Sequence, residues 1–245
     1  MNRRHLLQSS AIGIAGLAIS GLNSHRAQAS GVMDHELQER LQVCTPKDAL
    51  GRLQEGNARF ARAWVSSSGK GTPAERMRQL NVIWQDNCQI DPEALAKGQK
   101  PFAAVLSCAD SRVDPSWVFA CASGELFQVR CAGNTAFNDA IASLEYAISV
   151  LGTSLVVVMG HSGCGAVKAA LASEPLTPLL EGLVKPIRAS LVSGDSLTQS
   201  IQGNARYAAS QLTARSTVLK DAVAAGKLSI RSAYFDIGSG RVTLL

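Results

Sequence analysis

The chain has 245 residues, of which 46% are hydrophobic, enough to bury a full core without disulfide staples. Its formal charge of +5 shrinks once residues 1–29, which carry Arg3, Arg4 and Arg26 and no acid, are set aside: 21 basic and 19 acidic side chains remain, or +2. No Lys/Arg run interleaved with aromatics survives in that remainder, which argues against a nucleic-acid partner.

In chain order, residues 1–29 read as an export signal: a basic start, the apolar run from Ala11 to Ile19, and Ala27-Gln28-Ala29 as a small-residue cleavage site. The run is too short to span a bilayer, so no stable membrane span is expected in the mature form. Asn2-Arg3-Arg4-His5-Leu6-Leu7 resembles a twin-arginine signal, which implies export of a folded protein to the periplasm, or to the thylakoid lumen in a phototroph. Residues 30–245 then read as one domain, with neither a repeat nor a dividing linker.

Residues 30–44 carry little pattern beyond a short helix. Thr45-Pro46, with Asp48 as a capping acid, predicts a helix through Leu50, Leu53, Phe60 and Trp64, which Ser66–Gly71 breaks. Thr72-Pro73-Ala74-Glu75 repeats the same capping grammar towards Leu80, Ile83 and Trp84. These helices are expected to form an N-terminal arm outside the sheet. Strands at 102–107, 125–130 and 154–160 alternate with helices from about Pro115, from Asn138 to Val150 and from about Gly163. That alternation predicts an α/β fold with a mainly parallel sheet covered on both faces. Two or three amphipathic helices follow up to about Ala225, then a strand over Lys227–Ile237, a Gly238-Ser-Gly240 turn and a last strand over Arg241–Leu245.

Two clusters lie at the carboxyl ends of predicted strands, where open α/β sheets place their sites: Cys108-Ala-Asp110-Ser-Arg112 and His161-Ser-Gly-Cys164-Gly165. Two thiolates and an imidazole are the donor set Zn²⁺ prefers, and three protein ligands leave a fourth corner open for chemistry. Cys164 sits near a helix start, where the dipole favours its thiolate. Asp110 beside Arg112 is expected to be held off the metal by a bidentate pair and to orient a bound water. Of the two histidines beyond the signal, His35 reads as a bystander, and no proton-shuttle histidine is legible. Cys44, Cys88, Cys121 and Cys131 allow two disulfides by three connectivities, or stay as buried thiols, which is the blander reading.

In this pattern the chain resembles the β-class carbonic anhydrases. Cys108-x-Asp110-Ser-Arg112 and His161-x-x-Cys164-Gly165 are similar to that family's two signatures. Leu53-x-x-Gly56-Asn57-x-Arg59-Phe60, Arg130-Cys-Ala-Gly133-Asn134, Ser143-Leu-Glu-Tyr146-Ala and Tyr234-Phe-Asp-Ile-Gly-Ser-Gly240 resemble other segments of it, in the same order. The resemblance implies reversible hydration of CO₂ to bicarbonate and a proton by attack of a zinc-bound hydroxide. It implies one Zn²⁺ per subunit on Cys108, His161 and Cys164, with Asp110 and Arg112 as a catalytic dyad. It further implies substrate-pocket roles for Gln99, Phe127 and Tyr146 in a pocket shared between subunits, and a homodimer or dimer of dimers. Val105 stands where one subclass with a non-catalytic bicarbonate site keeps tryptophan, which favours the open-zinc subclass. Cys131 stands where members often carry asparagine or valine. Two rival readings are a closed structural or sensing zinc site completed by Asp110, and a relative acting on another small electrophile such as CS₂.

Overall fold

A computed structural model of the chain describes residues 35–69, 71–84 and 87–245. The export signal expected over residues 1–29 lies outside them. Leu37–Leu245 form one compact unit.

A five-stranded sheet lies at its centre, in the order β2-β1-β3-β4-β5: β1 (Ala103–Ser107), β2 (Leu126–Arg130), β3 (Leu155–His161), β4 (Ser229–Asp236) and β5 (Arg241–Leu244). The first four run parallel and β5 returns antiparallel to β4. Every residue of β1 and β3 is buried, as expected of central strands covered on both faces. Side-chain alternation then sorts the core in two. Ala103, Val105, Val157, Met159, Ala233 and Phe235 face one layer, and Ala104, Leu106, Val156 and Val158 face the other.

The first layer contains α2 (Ala49–Ser66), a 3₁₀ turn (Asn81–Trp84) and α5 (Pro115–Val118), through Leu53, Phe60, Ala63, Ile83 and Val118. The expected arm is thus, in α2, a cover for the sheet: Phe60 packs on Phe235, and Asn57 donates to the carbonyls of Val118 and Gly240. The cap also moves. Asp48 is the N-cap, its carboxylate accepting from the Gly51 amide, so the helix starts three residues after Pro46. Thr72 and Glu75 form the expected capping box at α3 (Pro73–Leu80). The second layer holds α6 (Asn138–Ser149), α9 (Leu197–Arg215) and α10 (Thr217–Ala224). At the carboxyl ends of β1 and β3, α7 (Gly165–Leu171) and α8 (Pro178–Arg188) build a third cluster around Cys108 and Cys164.

Outside the sheet, α1 (residues 35–42) and α4 (Pro92–Lys97) share a small core of Leu41, Ile90 and Ala94. The disulfide Cys44–Cys88 closes it, with 5.5 Å between the Cα atoms. Of the four cysteines left open by the sequence, this pair is bonded, whereas Cys121 and Cys131 are free. The bridge closes a loop of 44 residues, a chain-entropy contribution of up to about 4 kcal/mol. Replacing both cysteines with serine is therefore expected to lower the urea midpoint, with the deficit smaller if that loop keeps structure when unfolded. A midpoint unchanged from the oxidised wild type would contradict a stabilising bridge.

A second staple lies between α2 and the approach to β2. Arg52 donates to Glu125 (3.2 Å) and to the Ala120 carbonyl (3.0 Å), and Glu125 accepts from the Ala122 amide (2.5 Å). The Glu125 carboxylate is 1% exposed, and burial pushes its pKa up despite the guanidinium. Replacing Arg52 with methionine strands that charge, at a cost of about 3–5 kcal/mol at neutral pH. A carboxyl whose folded pKa is raised stabilises the fold below its unfolded value and loses that contribution as pH rises through the folded value. The variant should therefore regain stability on acidification from pH 8 towards pH 5, measured by urea melts at both.

Candidate metal centre

The crossovers make β1 and β3 neighbours although β2 and α6 separate them in sequence. The chain leaves β1 towards one sheet edge and β3 towards the other, so a crevice opens between their carboxyl ends. Cys108 follows the last residue of β1, His161 ends β3, and Cys164 caps α7. Between the last two, the Ser162 amide donates to the Phe235 carbonyl and its hydroxyl accepts from the Ile237 amide. Gly163 then takes φ +68°, in the region that favours glycine.

The two Sγ atoms and a His161 ring nitrogen lie within 4.8 Å of one another, and all three residues are buried. Two sulfurs bound tetrahedrally to one Zn²⁺ at 2.3 Å stand about 3.8 Å apart, so the spacing suits that ion. His161 Nδ1 is 3.1 Å from the Ser162 carbonyl oxygen, whereas buried Nε2 has no hydrogen-bond partner. A buried ring nitrogen with no hydrogen-bond partner, facing two sulfurs, is what a metal ligand looks like before the metal is added.

The two sulfurs are hydrogen-bonded to each other and titrate as a coupled pair. Within that pair the hydrogen bond from Cys164, then His161 and the Gly133 amide 3.3 Å away, pull the pKa of Cys108 down. The same hydrogen bond, and burial, push the pKa of Cys164 up. The dipole of α7 was expected to favour the Cys164 thiolate, and the backbone amides of Val167 and Ala166 do pull that way. The hydrogen bond with Cys108 pulls the other way.

Asp110 is held as the sequence predicts. Its Oδ1 accepts from the Arg112 backbone amide (3.0 Å) and Nε (2.9 Å), and its Oδ2 from Nη2 (2.7 Å). Those hydrogen bonds hold the carboxyl well below the usual carboxylate range. Oδ2 also lies 3.9 Å from His161 Nε2, so the dyad borders the crevice while its carboxylate stays outside the three-ligand group. Sequence reasoning did not single out Arg130 for a role. Its guanidinium donates to the carbonyls of Cys108 (3.2 Å) and Asp110 (2.8 Å), and lies 3.5 Å from Asp114. It thereby stitches the loop that carries both Cys108 and the Asp110–Arg112 pair. The signal was its place at the end of β2, in register with Ser107.

A match to the carbonic anhydrase family model covers residues 103–242, the whole sheet up to the start of β5. The chain belongs to the β-class carbonic anhydrases. It stands among the carbonate dehydratases, and both ligand clusters fall within the stretch that the family model matches. It is 34% identical over 209 residues to carbonic anhydrase 2 of Mycobacterium tuberculosis, a match spanning 81% of this chain and 92% of that one. A carbonic anhydrase of Mycolicibacterium smegmatis is 32% identical over 81% of this chain and 93% of its own. Among solved structures, the Coccomyxa β-carbonic anhydrase in complex with acetazolamide matches with a TM-score of 0.57 and 27% identity, over 71% of this chain and 87% of that one.

The three residues to which the β-carbonic anhydrase resemblance assigns a substrate pocket are not at this subunit's own cluster. Gln99 is exposed in the loop before β1, and the whole of that strand lies between it and Cys108 in the chain. Phe127, on the edge strand β2, pairs in register with Ala104 and packs against Tyr146 of α6, ring centroids 6.4 Å apart. Tyr146 is 47% exposed.

Proposed function

We propose that Cys108, His161 and Cys164 hold one Zn²⁺ per subunit, and that the enzyme uses it to hydrate CO₂ reversibly to bicarbonate and a proton. The observation carrying this reading is the unpartnered His161 Nε2 facing two buried sulfurs at a family signature. When bound, the ion would supply a Lewis acid that makes water nucleophilic near neutral pH. The chain's own residues supply position. Ser162 sets the imidazole ring so that Nε2 faces the crevice. Arg112 keeps Asp110 ionised and occupied, so its carboxylate can only accept. The side of Oδ2 that faces His161 is where it would take the hydrogen bond of an incoming water or of a bicarbonate hydroxyl, fixing the oxygen's orientation.

A closed structural site completed by Asp110 is disfavoured by the same pair, which holds the carboxylate outside the three-donor group. We also propose that the enzyme works as a homodimer or dimer of dimers, with Gln99, Phe127 and Tyr146 lining the partner's pocket. Their distance from their own cluster supports this. Export of the mature domain to the periplasm, or to a thylakoid lumen, under a twin-arginine signal over residues 1–29 is part of the proposal. The Cys44–Cys88 bridge supports it, because disulfides persist in oxidising compartments.

Stopped-flow CO₂ hydration on protein with measured zinc content tests the assignment. Activity in proportion to bound zinc, lost on chelation and regained on reloading, is expected. Full metal with no hydration rate at alkaline pH would favour the closed site, and faster turnover of CS₂ would favour a different substrate.

A further inference from the structure

Cys108 has a backbone partner that is itself held under constraint. The Gly133 amide donates to its sulfur at 3.3 Å from the 3₁₀ turn Ala132–Asn134. Two consecutive residues of that turn are left-handed, Gly133 at φ +76° and Asn134 at φ +47°. The second is not glycine, and such a residue persists only where its surroundings over-determine it. Asn134 Nδ2 is moreover buried with no hydrogen-bond partner, so its side-chain amide adds no bond to hold the turn.

What holds it comes from the opposite side. Asn204, 1% exposed on α9, donates from Nδ2 to the Gly133 carbonyl at 2.8 Å. Ile187 of α8 and Ala166 of α7 close on the Gly133 Cα so tightly that an added Cβ would stand 2.6 Å from Ile187 Cδ1. One residue is thus gripped at its carbonyl by Asn204, at its Cα by two apolar side chains, and presents its amide to the Cys108 sulfur. Buried asparagines usually serve to tie elements together, as Asn57 does by bonding the Val118 and Gly240 carbonyls and no residue of the cluster. At Asn204 the tie ends on the residue that touches a ligand atom.

We infer that Asn204 is a positioning residue for the metal centre, acting through Gly133 to keep an N–H···S hydrogen bond on Cys108; this rests on the zinc reading above. The bond aims the sulfur and withdraws part of its charge, so its loss should change both how tightly the metal is held and how strongly that sulfur donates to it. Losing such an outer partner costs metal affinity about 10- to 100-fold.

The test compares Asn204→Ser with Asn57→Ser, a buried asparagine of similar burial with no link to the cluster. Zinc affinity is measured by competition with a chelator, and the sulfur-to-cobalt charge-transfer absorption is recorded after Co²⁺ substitution. Asn204→Ser should bind zinc at least about 10-fold more weakly and shift the cobalt band, while Asn57→Ser changes neither. Wild-type affinity with an unshifted band in a folded Asn204→Ser would overturn the inference while leaving the metal assignment intact. Absence of thiolate bands in the cobalt wild type would overturn the metal assignment and this inference with it. Should Asn204→Ser not fold, amide exchange in the zinc-loaded wild type decides: both the Gly133 amide and the Asn204 side-chain amide should be protected, and free-peptide exchange at either overturns it.

Discussion

Cys164→Ala is expected to emerge folded, to lose stoichiometric zinc and to hydrate CO₂ at the rate of the metal-free protein. Its sulfur is one of three donors within 4.8 Å, and no other thiol, imidazole or carboxylate among the described residues belongs to that group. Removing an outer partner of a ligand weakens metal binding about 10- to 100-fold; removing the ligand itself should exceed that. The fold should survive because the cluster sits at the end of the strands and the residue becomes alanine at the start of a helix, where Cys164 makes no side-chain capping bond. Deletion also relieves the two-sulfur conflict that raises its own pKa. Metal analysis beside a hydration assay checks this, and retained stoichiometric zinc would contradict the ligand assignment.

Asp110→Asn should keep zinc and slow turnover by roughly 10²–10³, the scale of removing one preorganised polar group from an active site. The substitution conserves shape and reverses function. Oδ1 accepts two N–H groups and Oδ2 accepts a third, so an amide nitrogen at either position meets a donor and breaks part of the clamp. Either orientation also removes an ionised acceptor beside the crevice. Its pH behaviour distinguishes the two proteins further. A carboxyl with a depressed folded pKa stabilises the protein above the unfolded value near 4 and loses that contribution as pH falls through the folded one. The wild type should therefore show an acid-side stability loss below about pH 4 that the asparagine variant lacks in part. An unchanged hydration rate with full zinc would reject the role of Asp110.

The Cys-His-Cys cluster that could hold a metal was legible because a tetrahedral soft-donor site needs specific residue types, and Cys108, His161 and Cys164 stand beside buried apolar runs that form strands. The capping box at Thr72 and Glu75 was legible for a similar reason: it acts within four residues. Asp48 was misplaced by one role, since Thr45-Pro46 offers an equally good local cap and only packing of α2 against the sheet chooses between them. Asn204 and the Arg52–Glu125 pair left no readable signal, and Arg130 left only its place at the end of β2. Each reaches 20 to 73 positions along the chain to a backbone atom or a single carboxylate, and such partners have no sequence pattern. The Cys44–Cys88 pairing was hidden likewise, because three connectivities spend the same cysteines.

By itself the sequence determined the element types, the covered parallel sheet and the donor set, since these follow from side-chain periodicity and from the chemistry of thiolate, imidazole and carboxylate. Only the tertiary structure decided that β3 returns beside β1 to bring donors 53 and 56 positions apart within 4.8 Å, how the two sulfurs shift each other's pKa, and that the assigned pocket residues lie away from their own cluster. Those facts depend on strand order and on through-space electrostatics, which are set by how layers pack and not by any local run of residues.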